Sequence, residues 1–168
     1  TRGAGRAAAS GMREVGILCR GDIGPGTSKM FFAYGLEHAL LGPLAIGAPS
    51  VLDPQPVDEN SAREIVALHK PAAFFSVPSF YRRLLSLGQV ALEPFRAMRH
   101  CVAAGERLPA GVLAHWRAAT GIETLSRSGT PDTFCAEMMT PPGHSNAART
   151  DRGPPGVRAL RSNGEVPK

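Results

Sequence analysis

From residue 30 onward the chain alternates short apolar runs with stretches whose apolar positions recur every three or four residues, the pattern of strands and amphipathic helices taken in turn. Residues 37–45 carry Ala39, Leu40, Leu41 and Leu44 and predict a short buried helix, bent or brief because Pro43 removes a backbone donor. Ser50-Val51-Leu52 reads as a short buried strand ended by Pro54 and Pro56. Residues 58–69 predict a helix with Asp58 or Ser61 as N-cap, an apolar face of Ala62, Ile65, Val66 and Leu68, and a stop at Pro71. Ala72-Ala73-Phe74-Phe75-Ser76-Val77 is a continuous apolar run between prolines, as expected of a strand buried on both faces.

Further along, residues 79–87 predict a helix capped by Ser79, with Phe80, Leu84 and Leu87 at helical spacing. Residues 98–103 predict a strand, and 109–120 a helix carrying Val112, Leu113 and Trp116 and closed by Gly121. Residues 122–125 give a last short strand, and 157–161 with Asn163-Gly164 predict half of a β-hairpin. The repeated alternation predicts an α/β fold, an incomplete, mainly parallel sheet with flanking helices and right-handed crossovers. Three regions are expected: a flexible Gly/Ala/Arg-rich segment over 1–29, a central α/β unit over 30–126, and a loop-rich tail over 127–168 that begins a β-subdomain. Exposed sheet edges are expected to offer association with another chain.

Composition narrows the chemistry. The net charge of +5 comes from sixteen arginines and three lysines spread along the chain, with none of the basic stripes or stacking aromatics that a nucleic-acid reader needs, so no specific nucleic-acid partner is expected. Cys19, Cys101 and Cys135 are odd in number and far apart, which argues against a disulfide scaffold or a zinc site and for a reducing compartment. Cys101 lies in an apolar run and reads as an inert core residue. His38, His69, His100, His115 and His144 show no close pairing of the zinc type, and no GxSxG elbow marks a catalytic serine. No apolar run approaches the ~20 residues that cross a bilayer, so no membrane partner and a cytoplasmic location are expected.

Three segments carry more information together than separately: Phe31-Phe32-Ala33-Tyr34-Gly35-Leu36, then Ser76-Val77-Pro78-Ser79, then Ala104-Gly105-Glu106. In this order they resemble the middle of the large N-terminal domain of an AMP-forming acid:CoA ligase of the adenylate-forming superfamily, nearest the benzoate and hydroxybenzoate CoA ligases. The resemblance runs from about residue 27 to 156. It implies an aromatic or other carboxylic acid as substrate, with ATP/AMP, Mg2+ and CoA as the other participants. It also implies that Phe32, Ala33, Tyr34 and Gly35 line the acid pocket with Ala104 and Gly105 opposite, Tyr34 nearest the substrate. Glu106, a lone carboxylate after a turn, reads as structural.

Ser126-Arg127-Ser128-Gly129-Thr130-Pro131-Asp132 stands where the family carries its Gly-Ser-Thr-Glu-like signature. The resemblance places Gly129 and Thr130 at the nucleotide and Asp132 at the metal. Here Pro131 takes the position of the phosphate-contacting threonine, and proline has neither hydroxyl nor backbone donor. Aspartate replaces the longer glutamate that helps to hold magnesium. Thr1-Arg2-Gly3-Ala4-Gly5-Arg6-Ala7-Ala8-Ala9 resembles the family's phosphate loop only faintly, without its serines or a nearby lysine. No residue is assigned as catalytic. The sequence therefore reads as a partial or degenerate aryl-CoA ligase with negligible activity alone; a non-catalytic interaction module derived from the same fold is the competing reading.

Overall fold

The computed structural model describes residues 17–130 and 135–139, with side chains as far as Arg127. The apolar run after Pro71 forms β1 (Ala73–Ser76), with all four residues buried. Parallel to it lie β2 (His100–Ala103) and β3 (Thr124–Thr130), in a register that sets Phe74 beside Cys101 and Val102 beside Leu125. β4 (Cys135–Met139) pairs antiparallel with β3 across a register shift between Ser128 and Gly129, giving the order β1-β2-β3-β4. An α/β fold with a mainly parallel, open sheet is thus what the alternation in the sequence builds.

The helical elements are α1 (Ala33–Leu36), a π-helical turn (Glu37–Leu41), α2 (Gly42–Ile46), α3 (Glu59–His69), α4 (Pro78–Ser86), a 3₁₀ helix (Gln89–Ala97) and α5 (Ala110–Thr120). Strand side chains alternate between faces, and the sheet divides its core accordingly. Phe74, Cys101 and Ala103 point to one face, against Val66, Phe80, Tyr81, Leu84, Phe95 and Trp116 from α3, α4, the 3₁₀ helix and α5. Ala73, Phe75, Val102 and Leu125 point to the other, where Ile17, Leu18, Tyr34 and Ile46 cover them. On the first face the rings meet largely edge-on: Phe74 and Phe95 at 5.5 Å, Tyr81 and Trp116 at 4.8 Å, Phe95 and Trp116 at 5.5 Å. Each such pair adds ~0.5–1.5 kcal/mol beyond burial. Burial pushes the Cys101 thiol up to about 12, so it stays protonated and inert in this core.

Several sequence expectations change in detail. Asp58 is the cap of α3, in a reciprocal box: its carboxylate accepts from the Ser61 backbone N–H at 2.8 Å and its own N–H donates to Ser61 Oγ at 2.9 Å. Ser79 is not a cap. It lies within the first turn of α4, where Glu106 from the loop after β2 accepts its N–H at 3.2 Å and its hydroxyl at 2.7 Å. Glu106 is therefore structural, as read, but as a cap supplied from a distant segment. Leu87 falls just past the end of α4 and is exposed, while Phe80 and Leu84 form the buried face.

The helix expected over 37–45 is part of a longer helical run whose buried positions differ from those anticipated. Leu44 is 68% exposed, whereas Glu37, His38 and Ala39 are consecutively buried. Three consecutive residues of a regular α-helix would fan across more than half a turn. The π-turn, closed by the Gly42 N–H on the Glu37 carbonyl, accompanies this departure.

Ser50-Val51-Leu52 forms no strand. Ser50 hydroxyl donates to the Ala39 carbonyl and Lys29 Nζ to the carbonyls of Asp53 (3.2 Å) and Gln55, so side-chain anchors hold this stretch in place of a ladder.

The described part of the segment expected to be flexible, 17–29, is packed. Ile17 and Leu18 are buried, and the chain then runs along β1: Ala72 N–H donates to the Ile23 carbonyl at 2.9 Å, Phe75 N–H to Pro25 at 3.0 Å, and Thr27 N–H to Phe75 at 3.0 Å. Its glycines, taken from the sequence as breakers, serve close packing instead. A Cβ on Gly26 would lie 2.0 Å from His38 Nε2, and one on Gly24 2.8 Å from both Leu18 and Phe75 side-chain carbons. At the other boundary, β3 continues through residue 126 to Thr130 rather than giving way to loop. The predicted half-hairpin over 157–161 lies outside the described residues.

Candidate functional site

Ligands of open α/β sheets bind beyond the carboxyl ends of parallel strands, and Tyr34 and Ala104 lie at that edge. α1 brings Tyr34 onto the second face of the sheet, where its hydroxyl donates to the Val102 carbonyl at 3.4 Å, two residues before Ala104. Burial raises the phenol's pKa; Glu37 adds to this and Arg127 opposes it. Phe32, 58% exposed, sits one residue before α1, its ring 4.5 Å from the still more exposed Phe31, and Ala33 opens the helix half-buried. Gly35 is buried, and a Cβ there would approach the Lys29 carbonyl oxygen to 2.1 Å, so the position takes only glycine.

Across the strand ends, Ala104 is buried and its N–H donates to the Ser76 carbonyl at 3.2 Å. Ser76 Oγ and Thr27 Oγ1 share a hydrogen bond of 2.6 Å. Gly105 is exposed at φ +82°, a left-handed conformation that selects glycine irrespective of any ligand. Gly129 and Thr130 lie on β3, paired with Ala136 and Cys135 of β4. Asp132 and Pro131 lie outside the described residues. Among the described residues no three His, Cys, Asp or Glu side chains are grouped to hold a metal ion, and no helix is long and apolar enough to cross a membrane.

Beside Tyr34 the sequence reading missed a polar knot. Arg127 Nη2 donates to Glu37 Oε1 at 2.6 Å, with both side chains nearly sealed from solvent, at 3% and 5% exposed. The guanidinium carbon stands 5.9 Å from the centre of the Tyr34 ring, within cation–π range. His38 packs its ring 4.6 Å from Tyr34 and stacks on Phe75 at 4.9 Å, 10° from parallel. Among the described residues neither His38 ring nitrogen has a hydrogen-bond partner, and neither does Arg127 Nε or Nη1. Burial pushes the imidazole down to about 3; the Tyr34 carbonyl, outside hydrogen-bond geometry, partly opposes this, and the Arg127 charge adds to it. His38 is therefore neutral at ordinary pH. One signal for the knot was present in the pattern: Arg127 is two residues beyond Leu125 and so shares its inward face.

A sequence profile of the AMP-binding enzyme family matches residues 5–144. The chain belongs to the AMP-binding enzyme family. Within the family it is similar to the 3-hydroxybenzoate–CoA ligase of Aromatoleum sp. (strain CIB), at 38% identity over 70% of this chain and 22% of the relative. It is similar also to the benzoate–CoA ligase of Thauera aromatica, at 31% identity over 87% of this chain and 28% of the relative. The crystal structure of a benzoate CoA ligase from Burkholderia xenovorans LB400 superposes with a TM-score of 0.82 at 27% identity, covering 96% of this chain and 35% of that one. An anthranilate CoA ligase solved with anthranoyl-AMP shares the fold, with a TM-score of 0.82 at 24% identity. The chain thus spans between about a fifth and a third of the length of these ligases.

Proposed function

We propose that this chain forms the acid-binding part of an AMP-forming aryl-acid:CoA ligase. Tyr34, with Phe32, Ala33 and Gly35, would line one side of the acid cleft, and Ala104 with Gly105 the other; Gly129 and Thr130 would lie toward the nucleotide and Asp132 toward magnesium. The observation that carries this reading is the position of Tyr34, held at the Val102 carbonyl beside the carboxyl ends of three parallel strands, in a chain whose relatives are named for benzoate and hydroxybenzoate. In such a ligase ATP, when bound, activates the acid as its adenylate and CoA then accepts the acyl group. The contribution of this chain's own residues is to bind and orient the acid: Tyr34 presents an apolar ring, and the small Ala104 and Gly105 let backbone approach the carboxylate.

In the same proposal the 168-residue polypeptide does not complete adenylation by itself, since Pro131 offers no hydroxyl or N–H where the family signature supplies a threonine. The test is pyrophosphate release and aromatic-acid binding by this polypeptide, given benzoate or a hydroxybenzoate with ATP and Mg2+. Binding without pyrophosphate is the expected result. Pyrophosphate above the no-acid blank would overturn the inactivity, and failure of every aromatic acid to bind would overturn the acid-cleft assignment.

A further inference from the structure

Resting on that acid-cleft reading, we propose that Arg127 is a specificity-determining residue, whose Nε and Nη1 select aromatic acids carrying a neutral oxygen acceptor on the ring over acids without one. The guanidinium lies 5.9 Å from the centre of the Tyr34 ring, the wall assigned to the substrate. In this proposal the ring of the bound acid lies along Tyr34 and meets the guanidinium there. Arg127 is almost wholly buried and Glu37 occupies only its Nη2 edge, so two donor positions remain without partners among the described residues. Buried donors are nearly always satisfied, and leaving one unsatisfied costs about 1–3 kcal/mol. A ligand that supplies an acceptor recovers that loss, and one that presents a methyl group does not.

Charge decides which acceptor. Glu37 already offsets the arginine, and the adjoining His38 has a buried ring with both nitrogens unpartnered among the described residues. A second carboxylate would bring an uncompensated anion into this enclosed pair, which is strongly unfavourable. A hydroxyl, methoxyl or carbonyl oxygen accepts from Arg127 without adding charge. For a hydroxyl, the unprotonated ring nitrogen of the neutral imidazole can in addition accept a hydrogen bond from the O–H.

The test compares dissociation constants of the 168-residue chain for benzoate, the three methylbenzoates and the three methoxybenzoates, by ligand-observed NMR. Methyl and methoxyl are both uncharged, and the methoxyl oxygen supplies the acceptor. In the native chain one methoxy isomer should bind about tenfold more tightly than its methyl counterpart. In the double variant Glu37→Gln/Arg127→Met, which removes both charges at similar volume, the ratio should fall to about one. Arg127→Lys serves if the double variant does not fold, and should lower the ratio severalfold because a single ammonium cannot present the same fork. No preference in the native chain, or a preference that survives the variants, overturns the proposal while leaving the acid cleft standing. If no aromatic acid binds the native chain, the cleft assignment itself fails and this inference with it.

Discussion

The two faces of the sheet are built on different terms. On the face under α3, α4 and α5, Phe74, Tyr81, Phe95 and Trp116 interlock, and the Tyr81 hydroxyl is satisfied by the carbonyls of Phe74 (2.9 Å) and Val102 (3.0 Å), while Trp116 Nε1 is without a partner among the described residues. On the face under α1, an apolar floor of Phe75, Val102 and Leu125 carries Glu37, His38 and Arg127, with four polar atoms left without partners among the described residues. Burial of hydrocarbon repays its ordering entropy directly, whereas burial of charge does so only when every polar atom is matched. The first face is arranged for stability. The second gives up stability at the edge where ligands of such sheets bind, a combination that marks functional sites.

Four measurements would break or sharpen this contrast. The largest effect is expected at Trp116→Ala, where removing the centre of the aromatic cluster should lower unfolding free energy by about 3–5 kcal/mol, read from urea titration; a loss below 1 kcal/mol would dissolve the distinction from the first side. On the other face, Arg127→Met alone should destabilise by about 3–5 kcal/mol because it strands the buried Glu37 carboxylate. Glu37→Gln/Arg127→Met should recover most of that, since both partners go together. Equal instability of the single and double variants would show that the ion pair is not the source.

The third effect is the pH response of His38. Its folded-state pKa lies near 3, below its usual 6.5, so between those values the unfolded chain binds a proton that the folded chain does not. Stability is therefore full above about pH 6.5 and falls as pH drops toward 3, by up to ~1.4 kcal/mol per unit from this group. The neighbouring charges, Glu37 and Arg127, pair with each other within this environment. His100, also depressed by burial and by Arg99, contributes in the same direction. His38→Gln isolates the first contribution: the slope of stability between pH 6 and 5 should flatten, and an unchanged slope would contradict a buried neutral imidazole. Asp22, Asp58 and Glu59 are all held below their usual values, so losses from them enter only at lower pH. The smallest effect belongs to Glu106→Ala, which removes the surrogate cap of α4 and should cost about 1 kcal/mol without altering either face.

The regular elements were legible because their signals are local. Continuous apolar residues around Phe74 and Phe75 gave β1, and the spacing of Leu113 and Trp116 gave α5. The segment at 17–29 was misjudged because its glycines are informative only through their neighbours: Gly26 is small because His38 packs against it, a contact no one-dimensional pattern displays. Ser50-Val51-Leu52 has strand composition but no ladder partner, and strand propensity without a partner leaves only an extended segment. At the candidate site, Tyr34, Ala104 and Gly105 were found through resemblance to known ligases. Glu37 and Arg127 escaped because they are 90 positions apart and each, read singly, is an ordinary charged residue.

The sequence by itself determined the succession of strands and helices and, through its motifs, membership of the AMP-binding family. Both follow from periodicity and short-range order along the chain. Tertiary structure alone decided that a glutamate, a histidine and an arginine would meet behind Tyr34, and which of their donors would be left over. Burial and pairing of charge depend on what the fold brings together from distant positions, and that sum is not written at any one of them.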